Sequence, residues 1–144
     1  MTAQLIDGTA IAQKVRDEVK EKVAKRIAEG KSQPGLATVL VGERIDSATY
    51  VSMKQKACAE LGMTSFHHPV PADISQEDLE KLIKQLNADP KVHGILVQLP
   101  LPDHLDEERI LSLISIEKDV DGFSPINLGR LAQKGREPLF VPCT

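Results

Sequence analysis

Leu36-Ala37-Thr38-Val39-Leu40-Val41-Gly42-Glu43-Arg44-Ile45-Asp46-Ser47-Ala48-Thr49-Tyr50-Val51-Ser52-Met53-Lys54 decides the fold. Leu36 to Val41 is a strand-like apolar run, and the residues after it take on a helical pattern. Strand, short loop and helix in that order place the helix's first turns at the carboxyl edge of a parallel sheet. That edge is where α/β proteins bind ligands. Ser47, Tyr50 and Lys54 are spaced i, i+3 and i+7 and so share one helical face. A hydroxyl, an aromatic ring and an amine are presented together to whatever fills the cleft.

Outward from this stretch, helix and strand alternate. Upstream, Asp7 is placed to N-cap a helix whose buried stripe would be Ile11, Val15, Val19, Val23 and Ile27. Gly30 suits its C′ position, and Pro34-Gly35 turns the chain into the strand. Downstream, the second helix runs from about Ser47 to Leu61 and stops at Gly62, and residues 63–68 read as a short strand. Ser75 with Asp78 resembles a capping box ahead of the stripe Leu79, Leu82, Ile83 and Leu86, which Asp89-Pro90 ends. Val92 to Val97 is a buried strand with His93 packed in it, and a fourth helix is expected over 106–114. Apolar strands between amphipathic helices predict an α/β three-layer sandwich with a mostly parallel sheet. Residues 1–122 form the expected domain; 123–144, ending in the extended Leu139-Phe140-Val141-Pro142, read as a connecting segment.

The 144 residues, 41% of them hydrophobic, suit one globular unit with a sizeable core. A formal charge of −3 argues against nucleic-acid or anionic-membrane partners, which favour a basic face. Met1 to Asp7 has neither the basic start nor the apolar stretch of a secretory signal. Cys58 and Cys143 have no metal-site or CxxC spacing, which points to reduced thiols in a cytoplasmic setting, with mitochondria the other choice. His67 and His68 alternate faces on a strand and cannot share a metal; no metal site is expected. His104 reads as a loop residue, and the carboxylates from Asp103 to Asp121 read mainly as helix-start and solvated charges.

Chemistry is expected at the strand ends. Gln98 opens Gln98-Leu99-Pro100-Leu101-Pro102, where two prolines stiffen an extended loop. Glu117-Lys118-Asp119-Val120-Asp121-Gly122 supplies a second rigid, polar turn. Facing Lys54, these loops would offer an amide and a carboxylate to a heteroaromatic ligand with adjacent N–H donors and a carbonyl. Plainer readings exist for each residue. Tyr50 and Lys54 could pack and snorkel, Ser47 could cap its helix, Gln98 could satisfy strand-end backbone, and Asp121 could simply form a turn. The Tyr-x-x-x-Lys spacing also occurs in short-chain dehydrogenases, but no amino-terminal glycine-rich turn accompanies it here.

The chain resembles the amino-terminal, folate-binding domain of the bifunctional methylenetetrahydrofolate dehydrogenase/cyclohydrolase family. The resemblance rests on Ser47-x-x-Tyr50-Val51-x-x-Lys54 with Lys56-Ala57-Cys58, and on Val92 through Pro102. It continues through Glu117 to Gly122, Ile126-Asn127-x-Gly129-Arg130-Leu131 and Pro142-Cys143-Thr144. The resemblance implies that Lys54 is the central catalytic group, with Gln98 hydrogen-bonding and positioning it. Tyr50 packs on the aminobenzoate ring beside Ser47, Asp121 binds the pterin's polar edge, and Leu99 and Pro100 line the pocket. A lysine acting as general base must spend time as the amine, which desolvation and a cationic methenyl group both favour.

The implied chemistry is oxidation of 5,10-methylenetetrahydrofolate with NADP or NAD, then hydrolysis of the methenyl product to 10-formyltetrahydrofolate. The tetrahydrofolate derivative is the substrate. The family's second, Rossmann-type domain, which binds NAD(P), is absent from this sequence: no glycine-rich turn follows a strand, and no cofactor-binding residue is assigned. Family dimers are built largely through that domain, so a homodimer is expected of a full-length enzyme. Cys143 would sit at the interdomain junction. The rival expectation is a truncated, non-catalytic folate-binding module.

Overall fold

The first helix, α1 (Gly8–Ala28), begins where the sequence predicts, with the Asp7 carboxylate accepting from the Thr9 and Ala10 amides at 3.0 Å each. Those amides have no intrahelical acceptor, so the cap removes an end cost. The protein is described by a computed structural model covering residues 6–142; Cys143 and its expected junction role lie outside the described residues. The elements that follow are β1 (Gly35–Val41), α2 (Ile45–Glu60), β2 (Thr64–Val70), α3 (Gln76–Ala88), β3 (Gly94–Val97), α4 (Glu107–Leu113) and α5 (Pro125–Ala132). Gly30 and Gly62 stop α1 and α2 at φ of 73° and 75°, a backbone region that a Cβ disfavours.

The strands lie in the order β2-β1-β3, every pair parallel. From central β1 the chain moves one way through α2 to β2, then back across the sheet through α3 to β3. Right-handed crossovers therefore put α2 and α3 on opposite faces, which is the three-layer α/β sandwich. One face carries the main core. Ala37, Val39 and Val41 of β1 and Ile95 and Val97 of β3 meet Leu79, Ile83 and Leu86 of α3 and Ile110 of α4. On the other face Thr38 and Leu40 are buried as well, and α2 turns in Val51 and Cys58. A central strand buried on both sides explains the near-continuous apolar run that marked it.

Several expectations need correction. Of the α1 stripe only Val23 is buried; Ile11, Val15 and Ile27 are 54%, 52% and 44% exposed, so the periodicity marks a face without a partner among the described residues. β3 starts at Gly94, and His93 sits in the loop before it. There His93 Nδ1 accepts from the Gly35 amide at 3.1 Å, and Nε2 lies 3.2 Å from Ser32 Oγ. Ser47 does not cap α2: the cap is Arg44, and Ser47 lies inside the first turn, where its amide donates to the Asp46 carboxylate. Residues 123–144, read as a connecting segment, include α5, which that reading did not give and which is capped by the Ser124 hydroxyl with Pro125 in the first turn.

Candidate functional site

The α2 residues divide by angle around the helix. Ser47, Val51 and Cys58 are buried, and Lys54 is half-buried at the edge of their stripe. Tyr50 lies about 40° further round than Lys54 at 3.6 residues per turn, and it is 59% exposed. Its ring is therefore a free apolar platform at the rim.

Gln98 meets Lys54 from the sheet. Its amide donates to Val39 O at 2.9 Å, which extends the β1–β3 ladder one residue past the strand and fixes the backbone. The side chain then makes two bonds. Nε2 donates to Leu99 O at 3.0 Å, and Oε1 accepts from Lys54 Nζ at 3.1 Å. Because the NH2 group is used on the carbonyl, only the oxygen is left for the lysine. The amine is held by an acceptor that cannot take its proton.

Asp121 comes from the neighbouring turn. Ile95 pairs in parallel with Asp119, and Asp121 follows in the turn that the Gly122 amide closes back onto Asp119 O at 3.1 Å. Burial raises its carboxyl above the usual range; Lys54 pulls the other way, and Asp119 adds to the rise. The Lys54 effect places amine and carboxylate within electrostatic reach. Among the described residues, no hydrogen bond ties the Asp121 carboxylate, so it is free to meet a ligand. Leu99 is half-buried and Pro100 exposed, joined by a cis peptide. Beyond them a depression of about 360 Å³ runs from Pro100–Asp103 to Val41–Arg44 and Ala72, along the same carboxyl edge.

The structure thus brings Lys54, Gln98 and Asp121 together, with Tyr50 at the rim. Ser47, 4% exposed, sits below the surface of the same helix face. Sequence reasoning missed Asp119, which is 3% exposed rather than solvated. Its Oδ2 accepts from the Ser124 amide at 2.8 Å and from Asn127 Nδ2 at 2.7 Å. The available signal was Ser124-Pro125, a helix-start pair whose helix needed an anchor. Among the described residues no three His, Cys, Asp or Glu side chains are grouped to hold a metal. The residues also do not fit a dinucleotide, since β1 is followed by a single glycine, Gly42, and β3 by Gln98-Leu99-Pro100.

These features define an α/β domain that presents a lysine–amide–carboxylate site at the carboxyl edge of a parallel sheet. The chain belongs to the tetrahydrofolate dehydrogenase/cyclohydrolase family, whose catalytic domain matches residues 6–121. It is 57% identical over 143 residues to the Bifunctional protein FolD 2 of Arabidopsis thaliana, covering 99% of this chain and 48% of that one. With the Bifunctional protein FolD of Moorella thermoacetica it shares 56% identity, covering 100% and 50%. The solved Trypanosoma brucei N5,N10-methylenetetrahydrofolate dehydrogenase-cyclohydrolase, complexed with NADP cofactor and inhibitor, matches with a TM-score of 0.91 at 43% identity, covering 99% and 49%. The chain spans about half the length of these relatives.

Proposed function

We propose that this chain is the folate-binding, catalytic half of an enzyme of folate one-carbon metabolism. The reading is hydrolysis of 5,10-methenyltetrahydrofolate to 10-formyltetrahydrofolate, with Lys54 as the central acid and base. It is coupled to oxidation of 5,10-methylenetetrahydrofolate by NADP or NAD held outside these residues. The observation that carries it is the 3.1 Å contact from Lys54 Nζ to Gln98 Oε1 at the ligand-binding edge, with Asp121 within electrostatic reach of the amine and Tyr50 exposed on the same helix.

The chemistry follows from that geometry. Water adds to the cationic carbon between N5 and N10, and its proton passes to the Lys54 amine and on to solvent. The remaining hydroxyl proton is moved to N5 as the C–N5 bond breaks and the carbonyl forms on N10. One water is consumed and one proton released. Gln98 keeps the amine aimed, the Tyr50 ring stacks the aminobenzoate between Ser47 and solvent, and the Asp121 carboxylate takes the N–H edge of the pterin. Leu99 and Pro100 form the wall. A homodimeric full-length enzyme, a cytoplasmic or mitochondrial setting and a link to purine synthesis belong to the same reading.

The test is hydrolysis of 5,10-methenyltetrahydrofolate by this chain against Lys54→Met and the spontaneous rate. Turnover lost in the variant while folate still binds supports the reading. Binding without turnover in the unaltered chain favours the non-catalytic module, and no binding rejects both.

A further inference from the structure

Asp121 stands free of hydrogen bonds among the described residues, so its direction is imposed entirely by the backbone beneath it. That backbone is held from both sides. Lys118 Nζ donates to the carbonyls of Leu86, Asn87 and Asp89 at 3.0, 2.7 and 2.9 Å, which fixes the turn to the end of α3. The Asp119 carboxylate takes the Ser124 amide and Asn127 Nδ2, which fixes it to the start of α5. Asn127, wholly buried, uses its other end to accept from the Leu139 amide at 3.0 Å. One side-chain amide therefore joins the Asp121 turn to Leu139, twelve residues beyond Asn127.

Stability alone gives a weak reason for this arrangement, because burying a carboxylate costs more than an apolar contact would unless every bond is made. What the bonds provide is direction, since each donor faces one acceptor. We propose that Asp119 and Asn127 are positioning residues, a buried clasp that sets the Asp121 carboxylate for the ligand. The inference rests on the folate reading above, in which Asp121 meets the pterin edge.

The test uses the full chain and 5-formyltetrahydrofolate, a stable reduced folate, as probe. Asn127→Asp keeps the shape and the Leu139 acceptor but sets a second carboxylate against Asp119. Its expected effect is faster hydrogen exchange at the amides of residues 119–124 and probe affinity down about tenfold, the scale of one hydrogen bond to a charged group. The swapped pair, Asp119→Asn with Asn127→Asp, removes the clash of two carboxylates but leaves the Ser124 amide, which shares Oδ2, facing an amino group, so it is expected to recover both readouts in part and together. A merely structural role would not couple affinity to that swap. If Asn127→Asp does not fold, Asn127→Ser replaces it; it keeps a hydroxyl donor for Asp119 and is expected to lose affinity about threefold. Faster exchange with affinity unchanged overturns the clasp. So does a swap that restores exchange but not affinity. A wild-type chain that fails to bind the probe rejects the folate reading and the clasp with it, whereas equal affinity in wild type and Asn127→Asp rejects the clasp alone.

Discussion

Burial holds the Asp121 carboxyl above its ordinary range, against the opposite pull of Lys54. The folded chain therefore disfavours the charged form that a pterin N–H edge needs. Stability from this group is complete below the ordinary carboxylate value of about pH 4, and it is lost as pH rises through the raised folded value. In that window the unfolded chain has already released its proton while the folded chain still holds one. Asp121→Asn removes the conflict. The variant is expected to be more stable than the parent at neutral pH and indistinguishable from it below about pH 3, while its affinity for reduced folate falls. Urea titrations at both pH values, paired with a folate binding curve, check the two halves. Tyr50 and Lys54 were legible in the sequence because helical spacing alone puts them on one face. From spacing alone Gln98 was legible as a strand-end amide; its bond to Lys54, which spans 44 residues, followed from the family resemblance.

At the scale of elements, caps and stops carried most of the legible information. Ser75 caps α3 with its hydroxyl accepting from the Asp78 amide at 3.1 Å, as the Ser-x-x-Asp spacing foretold. Asp7 caps α1 as completely, but the two helices differ in what they bury. Leu79, Ile83 and Leu86 of α3 enter the core, whereas α1 commits only Val23. Ser75→Ala is therefore expected to lower global stability by about 1 kcal/mol. Asp7→Ala should speed hydrogen exchange in the first turns of α1 with little change in the global value; a full loss in urea unfolding would contradict this. α5 escaped the sequence reading because its buried side is polar, Asn127 taking the place of an apolar anchor. Gly122 was legible as part of a rigid turn, but the close approach of distant backbone to it was not. At φ 74° a Cβ there would stand 2.9 Å from Pro142 N and 3.0 Å from Phe140 O, backbone that lies 20 and 18 residues further along the chain. Gly122→Ala is expected to cost about 1–3 kcal/mol in strain and to disturb the Asp121 turn, seen as weaker folate binding and a lower melting temperature.

For the whole molecule the two faces of the sheet are unequal. The α3–α4 side holds a continuous cluster from Val39 and Ile95 to Ile83 and Ile110, each with no exposed surface. On the other face Val51 and Cys58 of α2 are buried, while α1 leaves Ile11 and Val15 about half exposed. Periodicity reported an apolar stripe on both sides, and it was correct about composition. It could not report which stripe finds a partner, because that is decided by what else the chain places on each face. Stability should follow the burial and not the pattern. Ile83→Ala removes buried methyl and methylene groups from a packed site and is expected to cost about 2–5 kcal/mol. Val15→Ala removes atoms already half in water and should stay within about 0.5 kcal/mol. Against a total of about 5–15 kcal/mol for a domain, the first change brings the chain close to unfolding and the second leaves it untouched. Parallel urea titrations of the two variants decide the matter. Equal losses would mean that α1 is packed in solution against a surface that these residues alone do not supply.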